Sequence, residues 1–505
     1  MSNSASVLVT GSTGYIGGLL VPELLRNGYR VRVLARDPVR LQPRGWLQQV
    51  EVVQGDVLNP ASLAGALSGI NVAYYLVHSM LDGKGFERRD LNAAEGFGRA
   101  AASAGVARII YLGGLGDPNA NLSSHLRSRQ DTGKALSLGG VPVTEFRAAV
   151  VVGAGSASFE MIRYLTERVP VMICPSWVYT RVQPIAIEDV LANLSSAPAI
   201  ASSAGRIIEI GGADVLTYGD LMLGYARARG LHRRLLPVPV LTPRLSSHWV
   251  GLVTPLPASI ARPLVDGLRS EVVVRDAAAL ALFPQIRPLG YPAALQKALA
   301  PLDTGEFQTT GHQALSESWV PEAKALRADV QGFFSERRQQ VIDAPPERVF
   351  TEFARLGGRN GWLYANWLWL LRAWLDRLLG GPGARGRSDP EATHLGDVID
   401  MWRVDRMEPG RHMRLRAEMS VPGTAWLAFD AQPLPKDKTL LVQTNLFAPR
   451  GLWGALSWIL LIPIHSVIFG GLLRALAQRA ESAAQSPDGK TGLSDSKLMA
   501  QGKAG

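Results

Sequence analysis

The sequence predicts an α/β fold built on a doubly wound parallel sheet, followed by a separate α+β unit. Three observations carry that reading. A short apolar strand, Val7-Leu8-Val9, runs into glycines spaced Gly11-x-x-Gly14-x-x-Gly17, the pattern of a tight turn that opens a helix against a strand. Apolar strands then alternate with helical periodicity as far as Ile210, as a parallel sheet requires. Beyond Val341 the spacing tightens into short alternating strands closed by one long apolar run, which is an antiparallel pattern.

Taken in order, Ile16, Leu20 and Leu24 share one helical face, Gly28 ends that helix, and Val31 to Arg36 is the second strand. Val50 to Val53 leads to Gly55-Asp56, Leu63 and Leu67 mark a short helix, and Val72 to Val77 reads as a buried strand. A longer helix from about Arg89 to Ala104 stops at Gly105. Strands follow at Arg108 to Leu112, Val143 to Phe146 and Arg206 to Ile210. Carboxyl ends of such strands face the ligand crevice, so Asp56 with Val57, His78, Gly113 and Arg147 are candidate lining residues.

The run Gly11-Ser12-Thr13-Gly14-Tyr15-Ile16-Gly17 suits a dinucleotide pyrophosphate. Gly11 permits the turn, Gly14 lets phosphate approach the backbone, and Gly17 lets the helix N-terminus close on the anion. The tip of the second strand selects the dinucleotide, because a carboxylate there takes the ribose hydroxyl of NAD whereas an arginine pairs with the 2′-phosphate of NADP. Arg36 at the tip and Arg40 one turn later favour NADP, and Asp37 between them leaves NAD open.

At 505 residues and 47% hydrophobic content the chain can bury more than one core. Its net charge of +10 is not gathered into lysine-rich blocks with interleaved aromatics, so nucleic acid is not an expected partner. Cys174 is the only cysteine, which excludes an internal disulfide or a Cys-x-x-Cys centre and fits a reducing cytoplasm. The first residues, Met1 to Ser6, do not read as a secretory signal. No two histidines stand three or four residues apart, so no helix-borne metal pair is expected. Gly489-Lys490-Thr491 imitates a P-loop end, but Ala484 stands where glycine is required.

The glycine run, Gly55-Asp56, Tyr111-Leu112-Gly113-Gly114-Leu115-Gly116 and Gln183-Pro184-Ile185-Ala186-Ile187-Glu188-Asp189-Val190 resemble an extended short-chain dehydrogenase/reductase with a Rossmann-type domain over 1–300. His125-Leu126-Arg127-Ser128-Arg129 and Ser158-Phe159-Glu160-Met161-Ile162-Arg163 resemble, more narrowly, an atypical bacterial subgroup related to NmrA-like proteins and the 39-kDa complex I subunit. The resemblance implies a small substrate lobe after residue 200. It also implies a serine and a Tyr-x-x-x-Lys pair that this chain lacks: Gly113-Gly114 stand in place of the serine, and His125-x-x-x-Arg129 fills the second slot. His125 is then a candidate general acid and Arg129 a candidate ribose or phosphate ligand. Equally, His125 after Ser123-Ser124 suits a helix start.

Residues 301–330 read as a linker and 483–505 as a disordered tail. Between them, Val341 to Phe350, a tryptophan-rich helical stretch, four strands from Val398 to Leu446 and a long apolar helix resemble the helix-grip fold of the START-like SRPBCC superfamily. That resemblance implies a cavity for a hydrophobic ligand. Trp362, Trp367, Trp369 and Trp374 are read as core. The run Leu452 to Leu473 is long enough to span a bilayer, but Pro463 and His465 interrupt it; peripheral membrane contact is favoured over a span. The chain is thus expected to be an NADP(H)-binding oxidoreductase for a small hydrophobic carbonyl, enone or quinone, cytoplasmic or membrane-associated. The missing Ser-Tyr-Lys set leaves open a non-catalytic NADP(H)-binding regulator or assembly factor with a lipid-binding second domain.

Overall fold

The computed structural model describes residues 5–78, 86–120, 122–238, 253–255, 258–306, 325–389 and 392–485. The chain divides into two compact units, Met1–Ser318 and Trp319–Gly505.

The first unit is built on β1 (Ser6–Thr10), α1 (Tyr15–Arg26), β2 (Arg30–Ala35), β3 (Glu51–Gln54), α2 (Pro60–Leu67), β4 (Val72–Tyr75), α3 (Phe86–Ser103), β5 (Arg108–Gly114), α4 (Ser124–Ser137), β6 (Val143–Ala148) and β7 (Ile207–Ile210). The strands form one seven-stranded sheet in the order β7-β6-β5-β4-β1-β2-β3, every pairing parallel. Val7 and Val9 face one apolar layer with Leu20 and Leu24. Leu8 faces the other with Leu63 and Phe97. Burial on both faces is why these strands read as unbroken apolar runs. From β1 the chain winds outward in both directions, so a crevice opens at the carboxyl ends of β1 and β4. Later helices are α5 (Ala157–Arg168), α6 (Ile187–Ser196), α7 (Tyr218–Ala228), α8 (Ala258–Gly267) and α9 (Tyr291–Thr304), of which α5, α7 and α8 give residues to the wall of that crevice.

The second unit pairs β8 (Leu326–Val330), β9 (Phe333–Ile342), β10 (Val398–Ile399), β11 (Trp402–Glu408), β12 (His412–Ala417), β13 (Gly423–Leu434) and β14 (Lys438–Pro449) in the order β8-β9-β14-β13-β12-β11-β10, all antiparallel. Helices α10 (Pro346–Ala354), α11 (Asn366–Leu378) and α12 (Gly451–Gln485) complete it. The sheet grips α12: Leu472, Leu473 and Leu476 are buried with Phe353, Leu415 and Phe429 in one core.

Four details differ from the sequence reading. The span expected to link the units over 301–330 is narrower, because α9 runs to Thr304 and β8 begins at Leu326. The single strand expected over Val398 to Val404 is broken in two by Asp400, whose φ of 53° takes the chain out of extended geometry. The tryptophans split: Trp362 and Trp369 are core, whereas Trp367 and Trp374 face outward. The tail from 486, with Gly489-Lys490-Thr491, lies outside the described residues; 483–485 continue α12.

Candidate functional site

The glycine run caps the crevice. Gly11 has φ 71°, and a Cβ there would lie 2.5 Å from the Leu76 carbonyl oxygen. A Cβ on Gly17 would lie 2.4 Å from the Gly11 carbonyl oxygen, so loop and helix touch backbone to backbone. Gly14 precedes α1, and no side chain caps that N-terminus; its free N–H groups suit an anion. Ser12 is wholly buried and its Oγ has no hydrogen-bond partner. A cradle with no room for a Cβ, an uncapped helix start and an orphaned hydroxyl fit a dinucleotide pyrophosphate.

From this cradle a cleft of about 370 Å³ runs along the strand ends, lined by Gly11, Gly14, Tyr15, Ile16, Gly17, His78, Gly113, Gly114, His125 and Arg129. Met161, Ile162, Tyr218, Leu264, Leu268 and Val272 give its outer wall an apolar surface. His78 and His125 meet there, from the end of β4 and the first turn of α4, with ring centroids 5.2 Å apart. Behind them Asp90 on α3 is buried and its Oδ2 lies 2.7 Å from His78 Nδ1. Burial lowers the His78 pKa, opposed by its hydrogen bond to Asp90. His125 is pulled down to about 3, first by burial, then by His78 and Arg129, with Asp90 opposing. Its Nδ1 is buried without a hydrogen-bond partner. With its pKa held that low, His125 is an uncharged imidazole at neutral pH, able to donate one hydrogen bond and accept another.

Arg129 donates to the Leu112 carbonyl and lies over the Tyr111 ring at 5.2 Å, which holds it at the cleft edge. A serine in place of Gly113 or Gly114 would be crowded, since a Cβ on Gly114 would lie 2.8 Å from Leu126 and one on Gly113 3.1 Å from Glu145. Ser123 caps α4 through the Leu126 N–H, so the cap does not need His125.

Other expected site residues stand apart from this cleft. Arg36 is exposed at the end of β2. Arg40 lies in the short helical turn Pro38–Leu41, which Asp37 caps through Val39 N–H. Asp56 Oδ1 accepts from Leu58 N–H, and Val57 is buried in the core; neither lines the cleft, because the turn after β3 uses them locally. Arg147 is buried 2.6 Å from Glu145 Oε1 and is removed from the lining set. Thr13 turns its carbonyl to Arg44 instead.

Two residues went unread. Arg44 donates to the carbonyls of Thr13 and Gly14 at 3.4 and 3.5 Å and covers Gly18; the four-residue spacing of Arg36, Arg40 and Arg44 was its signal. Asp90 gave none, because its role arises only when α3 packs beside β4.

Residues 11–135 match a family model described as NAD(P)H-binding, and residues 332–472 match a protein family of unknown function, DUF2867. The ceramide reductase of Caulobacter vibrioides is 31% identical over 243 residues, 46% of this chain and 73% of that protein. The photosystem II assembly factor Ycf39 of Cyanophora paradoxa is 29% identical over 28% of this chain and 44% of its own length. Among solved structures, the Citrobacter sp. triphenylmethane reductase complexed with NADP(H) aligns with a TM-score of 0.47 and 19% identity, covering 58% of this chain and 100% of that one.

Proposed function

Because the chain belongs to the NAD(P)H-binding, atypical short-chain dehydrogenase/reductase family that includes the Caulobacter ceramide reductase, we propose that it reduces an apolar carbonyl, enone or quinone with NADPH. One observation carries the reading: the glycine cradle and the His78–His125 pair line the same cleft, whose outer wall is apolar. That relative is named for a lipid substrate, and an apolar wall suits the same class. Bound NADPH would supply hydride to the substrate carbon, moving the carbonyl electron pair onto oxygen. Gly11, Gly14, Gly17 and the start of α1 hold the pyrophosphate, and Arg129 orients the adjoining ribose. The His125 N–H donates a hydrogen bond to the oxygen as its charge develops, as a neutral imidazole can, and water entering the cleft supplies the proton that completes the hydroxyl. Asp90 fixes the His78 ring, and His78 in turn packs against His125.

Arg36 and Arg40 would take the 2′-phosphate. Arg36→Glu is expected to weaken NADPH binding about 10–100-fold, the scale of a lost charge-assisted hydrogen bond, and to leave NADH binding unchanged in parallel fluorescence titrations. Equal losses for both nucleotides would move the selectivity elsewhere.

A second reading, a non-catalytic NADP(H)-binding regulator or assembly factor, is favoured by Gly113-Gly114, which put no serine hydroxyl at the end of β5. Mass spectrometry of a lipid-rich extract incubated with C4-deuterated NADPH separates the two. Enzyme-dependent deuterium in one apolar product supports the reductase; no transfer from either face, with NADPH binding intact, supports the regulator.

A further inference from the structure

The second unit carries two apolar stripes that none of its described residues covers. On α11, Trp367, Leu370, Trp374 and Leu378 recur at helical spacing and each is more than half exposed. On α12, Trp453, Leu456, Leu460, Ile464 and Val467 recur in the same way, with exposure from 37% at Leu456 to 77% at Trp453. Solitary exposed apolar side chains are ordinary, whereas contiguous stripes mark an interaction surface. The helices also share a cavity of about 350 Å³, and Leu371, Leu375, Leu461 and Ile464 both line it and reach solvent. At its floor Asn445 is 3% exposed, and neither amide atom has a hydrogen-bond partner.

We infer that this face seats on a lipid bilayer, with the mouth of the cavity turned to the lipid. Three features favour a bilayer over a protein. Across α11 and residues 451–473 the only acidic side chain is Asp376, which is buried and paired with Arg372, whereas Arg377 and Arg450 stand beside the ends of the stripes. Cations at the margin suit an anionic leaflet. Trp367, Trp374 and Trp453 supply the amphipathic rings that settle at headgroup depth. Protein interfaces, by contrast, are about as apolar as ordinary surface, and these stripes are not. The geometry also fixes the mode. The helix over Gly451–Ala484 has the length and composition of a span, but Leu472, Leu473, Leu476 and Ala480 are locked in the core, so only its first half is available. It lies on the bilayer rather than across it.

The inference is independent of the reductase reading, and its test does not use turnover. The full chain, mixed with phosphatidylcholine vesicles containing one part in three phosphatidylglycerol, is expected to float with them on a density gradient. Trp367→Asp combined with Leu460→Asp is expected to cut the floated fraction at least tenfold, because each substitution turns a buried apolar contact into a desolvated charge. Far-ultraviolet circular dichroism and a thermal melt that match the wild type should report that the second unit of the variant is folded. Wild-type protein that remains below the vesicles, or a variant that floats equally well, overturns the proposal. Light scattering supplies the competing outcome: a dimer that the same substitutions split, without flotation, would assign the face to a second copy of the chain.

Discussion

Gly17→Ala is expected to abolish measurable NADPH binding, raising Kd at least about 100-fold, or about 2.7 kcal/mol. The added Cβ would meet the Gly11 carbonyl oxygen at 2.4 Å, the Gly11 carbonyl carbon at 2.8 Å and Ser12 Cα at 3.0 Å. All three are backbone atoms, so no side chain can rotate to relieve the clash. Either α1 moves off the loop or Gly11 leaves its turn, and Gly11 is itself held by close packing against Leu76. Both routes withdraw the helix N–H groups from the anion. The overpacking should also cost about 1–3 kcal/mol of stability. Gly28→Ala is the control: Gly28 has φ 82° and no neighbour within 4 Å of its Cβ, so it carries backbone strain of about 1 kcal/mol and no damage to the cradle. Titration with NADPH and a thermal melt of both variants separate the effects. Equal NADPH affinity in Gly17→Ala and wild type would remove the glycine run from the cofactor site.

What was legible in the chain follows from which forces act locally. The strands of the first unit are buried on both faces, and β2, β3, β5 and β6 lie within a few residues of where hydrophobic runs and glycine stops put them. The cradle was legible because backbone approach demands glycine at fixed spacing. Side-chain roles at the strand tips were harder, since a tip residue can face the crevice or pair behind it. His78 faces it, while Arg147 turns to Glu145 and Val57 to the core. In α11, Trp367 and Trp374 stand seven residues apart on one stripe and Trp369 on another. Periodicity separates the two faces, but only the packed sheet decides which of them is core. β8 was hidden for a similar reason. It is an edge strand, and Leu326–Val330 alternates with Arg327 and Asp329, which resembles a polar connector until its partner β9 is in place.

His125→Ala is expected to lower turnover at least about 100-fold, the scale of one lost hydrogen bond to a developing oxyanion, while leaving Kd for NADPH within about threefold, because the pyrophosphate contacts lie at the glycine cradle. The pH dependence distinguishes the neutral imidazole from an imidazolium acid. With its pKa pulled to about 3 by burial and by the neighbouring His78 and Arg129, His125 holds one charge state from weakly acidic to neutral pH. Turnover should then show no inflection near 6.5, the ordinary histidine value. An imidazolium donor would instead lose activity as pH rises through its pKa. The same shift acts on stability with a definite sign. Between about 3 and 6.5 the unfolded chain protonates this histidine and the folded chain does not, so stability falls as pH drops through that window. His125→Ala removes the proton difference, and its stability should therefore decline less steeply than wild type between pH 6.5 and 4. This second readout needs no substrate and tests the buried neutral state on its own. An unchanged acid slope together with unchanged turnover would return His125 to a packing role. A shallower slope with unchanged turnover would keep the neutral imidazole and assign the hydrogen bond to another donor in the cleft.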